Sequence, residues 1–112
     1  MIRVICFVRP HRLEAVKSAI AALGVSGLTV CEVRGTGNSP EAPGFFSGDP
    51  NLIALPIRSR LEVVASAEFQ EPIIQAILEQ GQTGESGDGK IFVEPILDAV
   101  RVRTDERGIA AI

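Results

Sequence analysis

The sequence predicts a single α+β domain built as β-α-β, a long connection, and a second β-α-β. Three observations carry this reading. Two runs rich in β-branched residues, Ile2 to Val8 and Ile57 to Ala65, are each followed by apolar residues at helical spacing. Each helical pattern stops at a glycine, Gly24 or Gly81. Between the halves, Gly35, Gly37, Pro40, Pro43, Gly44, Gly48, Pro50 and Pro56 punctuate a stretch in which neither period survives. A chain of 112 residues builds one core and not two, so residues 1–112 form one domain.

Taken in order, Ile2 to Val8 (Ile-Arg-Val-Ile-Cys-Phe-Val) reads as a buried strand. Pro10 stands where a helix can begin, because a first-turn N–H has no partner to lose. Leu13, Val16, Ala19, Ile20 and Leu23 form its apolar face. Gly27 to Arg34 is the second strand. A connection of about twenty residues without its own period is uncommon in a compact domain and usually serves function. Phe45-Phe46 in its middle either anchors a partner or pins the connection to its own body. Ile57 to Ala65 is the third strand. Glu71-Pro72 opens a second helix, with Ile73, Ile74, Ile77 and Leu78 on its apolar face. Lys90 to Val93 is a strand that can extend to Ile96. Asp98 to Thr104 alternates and predicts a short last strand, followed by a tail from Asp105 to Ile112. The order is that of the split βαβ, or ferredoxin-like, pattern: an antiparallel sheet with helices on one face. Both faces of several strands read as apolar, so self-association is expected to cover the other face.

Composition excludes several roles. The net charge is -3 and Lys and Arg are scattered, which argues against nucleic-acid binding. No run approaches the ~18 apolar residues of a membrane span. Met1 to Val8 is too short for a signal peptide and runs into Arg9-Pro10-His11-Arg12, so a cytoplasmic protein is expected. Cys6 and Cys31 lie in strand-like runs and are expected to be buried free thiols; a disulfide would require those strands to be neighbours. A single histidine, His11, excludes a multi-histidine metal site.

The densest chemistry lies in Gln82-Thr83-Gly84-Glu85-Ser86-Gly87-Asp88-Gly89-Lys90-Ile91-Phe92-Val93. Backbone N–H groups freed by glycine, with one lysine beside them, can cradle a phosphate. Glycines that merely supply φ > 0 in a turn give the same pattern. Arg101 and Arg103, two apart on the expected last strand, would point to one side; guanidinium forks suit phosphate oxygens. An Arg-x-Arg pair is as a rule only a solvated strand face.

At these residues the chain resembles the PII signal transduction proteins. The resemblance runs from Arg9-Pro10 to Ala110-Ala111-Ile112. It is most specific in Gln82-Thr83-Gly84-x-x-Gly87-Asp88-Gly89-Lys90-Ile91-Phe92-Val93. Gly24-Val25-Ser26-Gly27-Leu28-Thr29-Val30, Glu32-Val33-x-Gly35-x-Gly37 and Arg101-Val102-Arg103-Thr104 support it. It implies a homotrimer of ferredoxin-like subunits that binds ATP or ADP, with AMP as a further candidate, in clefts between neighbours. Residues of about 37–55 would be the T-loop, which contacts a target transporter or enzyme. Residues 82–90 would be the B-loop and about 101–112 the C-terminal loop. The residues so implied at the nucleotide are Gly27, Leu28, Thr29, Gly35, Gly37, Asn38, Glu62, Val64, Gly87, Asp88, Gly89, Lys90, Arg101 and Arg103. Without the resemblance, Glu62 would read as a surface strand carboxylate. The membrane would be met only through a transporter partner.

The departures from the family pattern carry information. Ser39 stands where the family has the glutamine that holds Mg²⁺ and, through it, 2-oxoglutarate; a serine is a poor substitute. Asn38 replaces an arginine near the phosphates, and Glu85 replaces a lysine. Each lost contact to a charged group costs on the order of 1.5–3 kcal/mol, which should lower affinity for ATP relative to ADP or AMP. Arg58 stands at a lysine for the 2-oxoglutarate carboxylate, and Arg9 fits a second carboxylate contact. Arg58, Arg9 and Ser39 are therefore small-anion candidates, with bicarbonate as one such anion. The family's modifiable tyrosine falls at Asn51 and the chain has no tyrosine, which excludes uridylylation by the usual route. A non-enzymatic regulator in nitrogen or carbon metabolism follows. Its rivals are a slow ATPase, for which Asp88 or Glu62 would have to position water, a trimeric ferredoxin-like module that senses a small anion such as bicarbonate without the classical 2-oxoglutarate response, and a ferredoxin-like assembly or metal-tolerance module with no nucleotide.

Overall fold

The computed structural model describes residues 1–37 and 55–112. Asn38, Ser39, Phe45, Phe46 and Asn51, together with almost all of the expected T-loop, lie outside the described residues.

Among the described residues, four strands and two α-helices follow the predicted order: β1 (Ile2–Val8), α1 (Leu13–Ala21), β2 (Thr29–Arg34), β3 (Ile57–Ala65), α2 (Gln70–Gly81) and β4 (Gly89–Pro95). Short 3-10 turns lead into both helices, at Pro10–Arg12 and Ala67–Phe69. The strands lie in the order β2-β3-β1-β4 and every neighbouring pair is antiparallel. This is the ferredoxin-like α+β arrangement.

Alternation decides which face is buried. Val4, Cys6 and Val8 of β1 and Leu61, Val63 and Ala65 of β3 point one way. They meet Val16 and Ile20 of α1 and Ile73 and Ile77 of α2, and these ten residues form the core. Register locks the two central strands, with Val4 opposite Val63 and Cys6 opposite Leu61. A slip of one residue would turn every one of these side chains to the open face.

The open face is mixed rather than apolar, contrary to the sequence expectation. Phe7 and Phe92 meet edge to face at 6.3 Å, and the Arg60 guanidinium lies 6.0 Å from the Phe7 ring. Around them Arg3 pairs with Glu94 and Arg60 with Glu62. These charges alternate with the core residues along β1 and β3, so charged and apolar groups share the face.

Three further expectations change. Cys6 is buried, and burial pushes its thiol up to about 11 against a hydrogen bond with the Leu61 backbone. Cys31, by contrast, is exposed, because it stands opposite Arg60 on the open face of the edge strand β2. Gly27 and Leu28 precede β2 rather than belonging to it, and Gly27 takes φ 91°. Asp98 to Thr104 is not a strand. Its backbone folds on itself: Val100 bridges Arg107, the Arg101 N–H donates to Glu106 O at 2.9 Å, and Asp105 reverses the chain at φ 62°. The alternating pattern was there, but no strand edge receives it. Arg101 and Arg103 thus sit in a turn, not two apart on a strand. A last 3-10 turn, Gly108–Ala111, closes the segment.

Candidate functional site

The glycine-rich loop between α2 and β4 is built around one carboxylate. Asp88 accepts from the Thr83 N–H at 2.7 Å, the Gly84 N–H at 3.0 Å, Arg9 Nε at 3.0 Å and the Thr83 hydroxyl. Arg9 also donates to Ser86 O at 2.8 Å. Desolvation works against ionisation of Asp88, but the hydrogen bonds from Thr83, Arg9 and Gly84 outweigh it and hold the carboxyl well below its usual range. Arg12 Nε fixes the loop's entrance by donating to Gln80 O, a carbonyl of the last turn of α2, at 2.6 Å. Gly89 fixes its exit. It pairs with Val8 at φ 121°, and a Cβ there would stand 1.6 Å from the Phe7 carbonyl oxygen.

Beside this loop a cleft of about 420 Å³ crosses the open end of the sheet. It brings together Gly35, Gly37, Arg58, Gly87, Gly89 and Lys90 from the sequence-predicted set. Sequence reasoning missed Phe7, Val33, Arg34, Thr36, Ser86 and Phe92, which complete the lining. Alternation in β1 placed Phe7 on the open face, but only the register, with Phe7 opposite Lys90, brings it to the loop. The described lining holds three cations, Arg34, Arg58 and Lys90, and no carboxylate. Its floor is apolar. Arg58 NH1 donates to its neighbour Ile57 O at 2.9 Å. Such a cleft suits a ligand with a flat apolar part and an anionic part.

Other predicted residues lie elsewhere. Thr29 pairs with Glu62 across β2 and β3, and Glu62 takes Arg60 and, at 3.9 Å, Arg3 as ion-pair partners. Val64 stands opposite Arg3. Asp88 and Arg9 are engaged with each other and with the loop. Asp88 and Glu85 line a second cavity of about 550 Å³ behind the loop, on the side of Ile77 and Leu78. Glu85 is therefore not among the described residues of the first cleft. Arg101 turns into its own segment, with NH1 3.1 Å from Glu106 Oε1 and NH2 donating to Ala110 O at 3.3 Å. Neither Arg101 nor Arg103 lines this cleft. Asn38 and Ser39 lie outside the described residues.

The family model "Nitrogen regulatory protein P-II" matches residues 1–106. The chain belongs to the P-II family. It is similar to a P-II protein of Methanothermobacter thermautotrophicus, "Nitrogen regulatory protein P-II 2", 37% identical over 112 residues that span 100% of this chain and 97% of the relative. The Haemophilus influenzae "Nitrogen regulatory protein P-II" is 36% identical over 100% of both chains. An Arabidopsis thaliana "Nitrogen regulatory protein P-II homolog" is 42% identical over 95% of this chain, which spans only 55% of that relative. This P-II chain is accordingly a signal transduction regulator in its broad class. No helix among its described residues is long and apolar enough to cross a membrane.

Proposed function

We propose that this P-II protein senses adenine nucleotides, ATP or ADP with AMP as a further ligand, and controls a transporter or enzyme through residues of about 37–55. The observation that carries the reading is the cleft: Arg34, Arg58 and Lys90 beside the backbone of Gly87 and Gly89, over an apolar floor, with no carboxylate among the described lining residues. Preorganised N–H donors and cations favour phosphate. The loop that carries them is already fixed by Asp88, so little ordering is left to oppose binding. Arg101 and Arg103 do not reach this cleft within one subunit, which fits a homotrimer in which the neighbour supplies them. Glu62, Val64, Gly27, Leu28 and Thr29 would then meet the sugar and base. Occupancy orders or releases the segment that docks on the target, a switch driven by differential contacts in its two states. The protein works in the cytoplasm and catalyses no reaction. Ser39 makes Mg²⁺ with 2-oxoglutarate a weak co-ligand, while Arg58 in the cleft is the candidate contact for a smaller anion such as bicarbonate.

Isothermal titration with ATP, ADP and AMP, each with and without Mg²⁺ and 2-oxoglutarate, tests this. Binding of at least one nucleotide, with little change on adding 2-oxoglutarate, is expected. Absence of binding by all three would sink the proposal, and sustained phosphate release under saturating ATP would reinstate the ATPase.

A further inference from the structure

The three cations of the cleft come from three different strands, and the sheet order spreads them across the molecule. Arg34 ends β2, Arg58 lies on β3 and Lys90 on β4. Strands β2 and β4 are the two edges of the sheet, three inter-strand spacings or about 14 Å apart. The glycine-rich loop meets the cleft only at the β4 end, where Gly87 and Gly89 lie beside Lys90. The β2 end offers the Arg34 guanidinium and the backbone of Gly35 and Gly37. Arg34 is exposed, and its one bond among the described residues is a long one, NH1 to Leu55 O at 3.4 Å. A guanidinium has five N–H donors, so most of those on Arg34 have no partner among the described residues.

We infer that Arg34 is a specificity-determining residue that reads phosphate number. A phosphate chain held at Gly87, Gly89 and Lys90 runs over Arg58 toward the β2 edge, and Arg34 meets its outer end. The inference rests on the nucleotide reading and adds a direction to it. The contribution of Arg34 grows with the length of the phosphate chain, because only a longer chain reaches the far lip. The competing role is purely structural: Arg34 staples the end of β2 to Leu55. A staple would affect every ligand alike, whereas a phosphate contact discriminates among them.

Titration of ATP, ADP and AMP into the full-length wild type, Arg34→Gln and Arg34→Lys separates the two. Glutamine keeps a donor for Leu55 O but removes the charge; lysine keeps the charge. Arg34→Gln should weaken ATP roughly tenfold or more and AMP less than about twofold, the loss of one charged contact at the outer phosphates. Arg34→Lys should recover most of the ATP affinity, and the ATP loss should shrink as salt screens the contact. A wild type that binds while Arg34→Gln weakens all three nucleotides equally, or none, overturns the role of Arg34 alone. A wild type that binds none of the three overturns the nucleotide reading and this inference with it.

Discussion

Asp88 shows how one side chain can make a flexible composition rigid. Its carboxylate, near the end of the glycine-rich loop, gathers donors from Thr83 and Gly84 at the loop's start and from Arg9, just after β1. The carboxyl is held below its ordinary value, so its contribution is complete above that value, near pH 4, and disappears as pH falls through and below it. Amide exchange in residues 82–89 should therefore be flat from pH 7 to about pH 5, once corrected for intrinsic rates, and rise only in stronger acid. Asp88→Asn should loosen the loop already at neutral pH by about 1–3 kcal/mol, the usual penalty when a charged acceptor leaves several donors. The sequence marked Asp88 as a phosphate-side residue. The structure shows its oxygens turned to the loop's own donors. Sequence could not separate these roles, because an aspartate between glycines serves either one.

At the scale of elements, β1, β3 and α2 were legible because a buried face imposes a period that side chains must obey. The last predicted strand failed for the complementary reason. Residues 98–104 alternate, but pairing needs an edge, and which edges are open is a property of the whole sheet. The same limit hid Phe7, Arg34 and Phe92 from the sequence reading of the cleft: strand identity was readable, register was not. Where register brings backbones close, the residue type is fixed. Gly89 opens β4 against β1 with no room for a side chain, so Gly89→Ala should cost more than about 2 kcal/mol and unzip the start of that pairing. Gly24→Ala is the control, since φ 81° is the strain and open space surrounds it; about 1 kcal/mol is expected. Thermal unfolding of the two variants side by side measures the difference.

Across the whole molecule, helices cover one face of the sheet and leave the other to solvent. The exposed face holds Phe92, and the segment after β4 adds Leu97 and Val102, each 98% exposed. Large apolar side chains left this bare suit a contact with another surface. Sedimentation equilibrium should give a mass near three times the 11.9 kDa chain, and the double substitution Leu97→Asp with Val102→Asp should shift it toward the single chain. A monomeric wild type would remove the basis for a shared cleft.

The two ends of the long connection offer a different kind of conclusion. Gly35 N–H donates to Pro56 O at 3.1 Å, and Arg34 reaches Leu55 O, so the chain leaves the sheet and returns to it at one point. What lies between closes a ring whose mouth is already shut. For a flexible segment the entropy of such a ring grows only with the logarithm of its length, about 0.6 kcal/mol for each doubling. The mouth itself is closed by residues of the body, Gly35 with Pro56 and Arg34 with Leu55. A change of sequence between them that keeps this closure should therefore leave the melting temperature of the body nearly unchanged.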